Sequence, residues 1–151
     1  MTDKNNFLGN IEAEEAILGG ILLDPTAISI VVDMLPIEAF YVQSHQLLYK
    51  TAKELYQKDQ PTDLMHVSTW LADHNLLEKV GGTTKLSQLL NRTVSAANID
   101  RYALLLLDKY QRRRLVQVGH EIVELGYDTT SELETIFDAS EEKIFNLTTN
   151  K

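Results

Sequence analysis

Cysteine is missing from this chain of 151 residues. That excludes a disulfide framework and any thiolate metal site, and it fits a reducing cytosol. Basic residues are outnumbered: 14 Lys and Arg stand against 22 Asp and Glu, a formal net charge of −8. DNA binding rests largely on Lys and Arg neutralising phosphates, so strong direct binding of nucleic acid is not expected. The one basic cluster, Arg112–Arg114, places three neighbours around most of a helix rather than along one stripe. It reads first as a solvated or salt-bridged face and second as an anion contact. No stretch approaches the roughly 18 uncharged apolar residues of a membrane span, the richest being Ala103–Leu107. The opening MTDKNNF has neither the basic start nor the apolar run of a signal peptide. The expectation is one compact, soluble, cytoplasmic domain with enough apolar residues to bury a core.

The period of two that marks strands is also lacking, while nearly every segment repeats its apolar residues at helical spacing. The fold class is all-α. Breakers at Asp24–Pro25, Pro36, Gln60–Pro61, Val80–Gly82, Thr93–Ala96 and Gly126–Ser131 leave helices at 11–23, 26–34, 44–58, 64–74, 84–92, 99–126 and 132–147. Asn10 caps the first of these. Its Glu12, Glu14 and Glu15 complement the positive helix end, and Ala13, Ile17, Leu18, Ile21 and Leu22 form its apolar face. Pro25 is placed to open the second helix, Ser44 and Asp63 to cap the third and fourth, and Thr83 the fifth. Ser131 with Glu134 spells a capping box for the last.

Two subregions follow: a helical head over residues 1–98, then a long helical hairpin over 99–151. Phe40, Leu48, Tyr49, Trp70, Leu71, Leu86, Leu89 and Leu90 are the expected core of the head. The first hairpin arm spans about 42 Å and the second about 24 Å, at ~1.5 Å per residue. Leu104–Leu107 of the longer arm are expected to pack on the head. Further out, Val116, Val118, Ile122, Val123, Leu125 and Tyr127 face Leu133, Ile136, Phe137, Ile144, Phe145 and Leu147. These sets are wider than the single stripe that two helices bury against each other. Either the head folds back over the surplus, or a second copy of the hairpin covers it.

Constellations for catalysis are wanting. Val80–Lys85, VGGTTK, lacks the spacing of a Walker A loop, and reads as a glycine turn between helices. His45, His66, His74 and His120 stand singly, with no ligand spacing around them. Ser44 and His45 are sequence neighbours and so point apart on a helix; no nucleophile is supported.

An ordered set of strings carries a resemblance. EAEEAILGGILLDP lies at Glu12–Pro25, then Phe40, Tyr41 and His45, LLYKTAKELY at Leu47–Tyr56, and PTD at Pro61–Asp63. VGG at Val80–Gly82 and AANIDRYA at Ala96–Ala103 complete it. Together they resemble the N-terminal domain of the DnaB-type replicative DNA helicase over roughly residues 7–147. The resemblance implies a non-catalytic collar tier of a hexameric helicase that assembles the ring and docks primase in the bacterial replisome. ATP and magnesium would belong to a RecA-like motor domain that this chain stops short of, leaving no cofactor here. It also implies hairpins paired between subunits, three such pairs forming a trimer of dimers, and docking of the C-terminal domain of a DnaG-type primase. Carried onto this chain, primase contacts fall at Glu15, Val118, Ile122, Leu125 and Tyr127. Self-association falls at Val116, Val123, Leu133, Ile136, Phe137 and Ile144. The alternative is a stand-alone helical adaptor with a different partner.

Overall fold

A computed structural model describes residues 8–149; the reading of Met1–Phe7 as no signal peptide lies outside the described residues. Helices α1 (Ile11–Leu23), α2 (Ile28–Val31), α3 (Gln43–Gln57), α4 (Leu64–Asp73), α5 (Gly82–Asn91), α6 (Ile99–Tyr127) and α7 (Leu133–Thr149) run in chain order. Short 3-10 turns interrupt them at Ile37–Ala39 and Leu77–Val80. No strand occurs among the described residues, so the all-α expectation holds.

Where a polar side chain reaches a free amide, the helix starts where the sequence indicates. Asn10 Oδ1 accepts from Ala13 N at 3.0 Å, and Asp63 Oδ1 accepts from His66 N at 3.0 Å. Four expectations are corrected. Pro25 does not open α2: Asp24 Oδ1 accepts from both Thr26 N (3.0 Å) and Thr26 Oγ1 (2.8 Å). That side-chain turn delays the helix to Ile28. Ser44 lies inside α3, behind Val42 at the cap position. Thr83 lies inside α5, which begins at Gly82 behind a left-handed Gly81 with φ of 99°. The capping box of α7 does not form, because α7 begins at Leu133 and Glu132 rather than Ser131 holds the cap position; Ser131 Oγ donates to Asp128 Oδ2 at 2.8 Å in the turn before it.

The chain divides into two compact units, residues 1–110 and 111–151, with the division inside α6 rather than at its start. In the first unit, α1 brings its whole apolar face (Ala13, Ile17, Leu18, Ile21 and Leu22) into the core. Phe40, Leu48, Tyr49, Leu71, Leu86 and Leu89 join it, as expected. Trp70 and Leu90 are only half-buried, a departure from expectation; the Trp70 ring stacks on His74, centroids 3.7 Å apart. Tyr49 keeps its hydroxyl satisfied by donating to Leu35 O at 2.7 Å, and burial pushes that hydroxyl well above its ordinary pKa.

Gly19 explains how α1 reaches α5. A Cβ there would collide with Thr93 Oγ1 and lie 2.6 Å from Leu89 O. Only glycine lets the two backbones approach this closely. At the start of α6, Ile99, Ala103 and Leu106 turn inward at helical spacing and Leu107 is half-buried. Leu104 and Leu105 remain 58% and 49% exposed, so the leucine run packs on one side only, against the expectation for all four.

In the second unit the outer part of α6 faces α7. Ile136 and Leu147 are buried. Val118, Ile122 and Leu125 are half-buried, recurring at i, i+4 and i+7 on one stripe. Lys143 Nζ donates to Glu121 Oε1 at 2.9 Å, tying the two arms together.

Candidate docking surfaces

Glu14, expected only to complement the positive end of α1, is the polar centre of the head. Fully buried, its carboxylate accepts from Tyr41 N at 2.6 Å, Val42 N at 3.3 Å and His45 Nδ1 at 2.7 Å. Val42 is the cap residue of α3 and offers no capping side chain. The carboxylate of α1 therefore satisfies the entry to α3 across the core. A sequence signal for this existed: Glu14 precedes Ile17 and Leu18 by three and four residues, on the apolar face of α1.

Glu15, next along, projects elsewhere. Its Oε2 accepts from Lys85 Nζ at 2.7 Å and its Oε1 from Arg92 Nη1 at 3.3 Å. The hydrogen bond from Lys85 is the main reason its carboxyl lies below the usual glutamate range. Nothing local in the sequence marks Lys85 and Arg92 as partners of Glu15 from 70 and 77 residues away. The same contact bears on nucleotide binding. With its amino group on Glu15, Lys85 is not poised over a phosphate loop, and Gly81 and Gly82 serve only to turn the chain into α5. The residues here do not fit ATP.

Beside Glu15 lies an open pocket of about 380 Å³, lined by Glu12, Ala16, Leu89, Arg92, Asn98 and Tyr102 among others. Its charges oppose one another. Among the described residues, no group of three or more His, Asp or Glu side chains stands close enough to hold a metal. No helix among them is long and apolar enough to cross a membrane.

The hairpin has two unlike sides. One is polar, closed by the bond from Lys143 to Glu121, which also accepts from Gln117 Nε2 at 3.0 Å. The Lys143 hydrogen bond foremost holds the Glu121 carboxyl below its ordinary range. The other side is apolar and open. Val116, Val123, Leu133, Phe137 and Ile144 are each at least 42% exposed, and Leu115 and Phe145 are also exposed. Five of the six residues assigned to self-association are thus accessible, while Ile136 is buried. Of the residues assigned to primase, Tyr127 is 81% exposed. Val118, Ile122 and Leu125 lie half-buried on the inward stripe, and Glu15 belongs to the head unit. At the hairpin turn Asp128 accepts from Thr130 Oγ1 at 2.6 Å and Ser131 Oγ at 2.8 Å. These bonds, the Thr130 hydroxyl first, lower its pKa to about 2 and keep the turn acidic.

Comparison with known proteins places this architecture. The family described as DnaB-like helicase N terminal domain matches residues 7–108. The chain is 59% identical over 142 residues to the replicative DNA helicase DnaB of Synechocystis sp., covering 94% of this chain and 16% of that protein. It is 37% identical to the replicative DNA helicase DnaC of Bacillus subtilis, covering 94% of this chain and 31% of that protein. The chain therefore spans a third or less of these relatives. Among solved structures, the N-terminal domain of DnaB helicase from Mycobacterium tuberculosis superposes with a TM-score of 0.86 at 31% identity. That match covers 91% of this chain and 97% of that one. A DnaB-like replicative helicase studied for its interactions with primase shares the fold, with a TM-score of 0.78 at 22% identity over 92% of this chain and 31% of that one.

Proposed function

We propose, from the premise that this chain belongs to the DnaB-like helicase N-terminal domain family, that it forms the non-catalytic collar of a hexameric replicative helicase. In this reading the hairpins pair subunits within a trimer of dimers, and the collar recruits the C-terminal domain of a DnaG-type primase. ATP, magnesium and strand translocation belong to a motor domain of the whole helicase. The observation that carries the reading is the open apolar side of the hairpin, where Val116, Val123, Leu133, Phe137 and Ile144 find no cover within their own unit. Exposed apolar groups concentrated on one side of a short hairpin mark a protein interface.

The primase contacts are assigned to Glu15, Val118, Ile122, Leu125 and Tyr127. Tyr127 is the most accessible of them and has the chemistry of an interface anchor. Contact with the half-buried aliphatic stripe would run along its edges. The net charge of −8 agrees with a tier that meets proteins while DNA is handled elsewhere. A docking area near or below ~1,000 Å² would suit repeated, reversible priming.

Light scattering coupled to size exclusion tests this directly on the chain alone and mixed with the C-terminal domain of the primase from the same organism. A dimer or larger species that becomes heavier with primase is the expected result. A monomer that does not respond to primase would overturn the collar reading.

A further inference from the structure

We propose that the face of α7 turned away from α6 is a docking surface for an arginine-bearing helix of a partner protein. Phe145 is its anchor, and Glu134, Asp138, Glu141 and Glu142 supply its charge. The proposal concerns a different face from the one assigned to self-association and stands without it.

Rotation about α7 separates the two faces. Ile136 and Leu147 are buried and mark the direction of α6. At about 100° per residue, Leu133, Phe137 and Ile144 lie roughly 70° around from that direction. Phe145 lies roughly 170° around from it, facing away from α6, and is 65% exposed. Glu134, Asp138, Glu141 and Glu142 are all exposed and fall within roughly 60° of Phe145. Lys143, the one cation of α7, lies on nearly the opposite side, where it is bonded to Glu121.

Two observations set this face apart from an ordinary solvated one. Phe145 is its one apolar side chain, a phenyl ring held in water among carboxylates. The carboxylates also repel one another. Glu134 with Asp138, and Asp138 with Glu142, are like charges at i, i+4, an arrangement that weakens a helix. A bound cationic segment relieves that repulsion and covers the ring at the same time.

The spacing favours arginine over lysine. Glu141 and Glu142 precede Phe145 by four and three residues, so both adjoin its ring on the helix surface. A guanidinium lying flat on the ring directs its N–H groups sideways, toward the carboxylates beside it. An ammonium is a point charge without that planar fork. Asp138 and Glu134 continue the row at one-turn intervals, over about 16 Å in all. A helix with arginines at i, i+4 and i+7 matches that row. Among the described residues the face carries no cation. Two copies laid face to face on it would set carboxylate against carboxylate, and DNA would be repelled.

Fluorescence anisotropy tests the assignment, with the whole chain titrated into a labelled alanine-based helical peptide bearing arginine at i, i+4 and i+7. Lysine and glutamine versions of the peptide are run beside it. The arginine peptide should bind about threefold or more tighter than the lysine peptide, and the glutamine peptide should not bind. The double variant Glu141→Gln, Glu142→Gln should weaken binding about tenfold or more, and Phe145→Ala about threefold or more. Far-ultraviolet circular dichroism checks that these variants stay folded. Neutralising exposed carboxylates of the head, Asp73→Asn with Glu78→Gln, should leave binding as it is. An equal loss from the head pair, or arginine and lysine peptides bound alike and unmoved by Phe145→Ala, would overturn the proposal. If Phe145→Ala instead lowers the mass of the chain in sedimentation equilibrium and spares peptide binding, the face lies between copies and the proposal falls.

Discussion

The head and the hairpin draw on the same apolar residues and use them in opposite ways. In the head, α1 sinks five aliphatic or alanine side chains, two glycines and even a glutamate into a shared interior. In the hairpin, only Ile136 and Leu147 of the described residues are buried, while Phe137, Ile144 and Phe145 on the same helix stay exposed. The difference lies in the number of neighbours. A helix surrounded by several others can bury an apolar surface on more than one side, whereas a helix with one partner can bury a single stripe. Apolar residues beyond that stripe are costly to leave in water, at about 25 cal/mol for each Å². The head buries its core by itself, and the hairpin leaves apolar side chains open to water.

The greatest expected loss comes from breaking the completeness of the head. Glu14→Ala removes the acceptor for Tyr41 N, Val42 N and His45 Nδ1 at once, leaving donors without partners inside the core. At about 1–3 kcal/mol for each orphaned buried group, a destabilisation of about 4 kcal/mol is expected. Urea unfolding followed by circular dichroism measures it. A shift below about 1 kcal/mol would mean that water or a shifted α3 entry replaces the carboxylate.

The glycines give a sharper contrast, since one substitution should act with opposite signs in the two regions. Gly19→Ala drives a methyl toward Leu89 O and Thr93, so α1 and α5 must separate; a loss of about 2 kcal/mol is expected. Gly119→Ala meets open space and gains helix propensity, about 1 kcal/mol when measured on dilute, dissociated protein. Thermal melts of the two variants beside the parent decide the matter. Equal signs would erase the distinction between a crowded and an open glycine.

Much of this architecture was legible because its causes are local. α1 begins and ends where Asn10 and Asp24 indicate, and α6 stops next to Gly126, because caps and breakers act within a turn. Errors arose where two local signals competed for one group. Asp24 drew Thr26 into a turn before Pro25 could start a helix, and Asp128 drew Thr130 and Ser131 into a turn, with α7 beginning only at Leu133. Contacts over long separations left no trace in the sequence: neither Lys85 nor Arg92 announces Glu15. Leu104 and Leu105 depart from expectation for a different reason. A run of four leucines covers the whole circumference of a helix, so it does not tell which side is covered.

Two ion pairs carry the comparison to its finest scale. Glu15–Lys85 links α1 to α5 in the head, with side chains 17% and 27% exposed. Glu121–Lys143 links the two arms of the hairpin, with side chains 40% and 35% exposed. Both carboxyls have their folded pKa lowered, in each case first by the hydrogen bond from the lysine. A lowered folded value means that the folded state favours the ionised form. The stabilisation is therefore fully present above the unfolded value of 4.5 and is lost as pH falls through the lower folded value. Glu15→Gln should cost about 1 kcal/mol or less at neutral pH, and that difference should close as the solution is acidified below 4.5. Glu121→Gln should follow the same course with a smaller amplitude, because water and salt screen the more exposed pair. Urea midpoints of parent and both variants at neutral and acid pH, each at low and high salt, provide the measurement. An effect of Glu15→Gln that persists unchanged in acid would show that the glutamate acts through packing rather than charge. An effect of Glu121→Gln as large and salt-insensitive as that of Glu15→Gln would mean that water and salt screen the hairpin pair no more than the head pair.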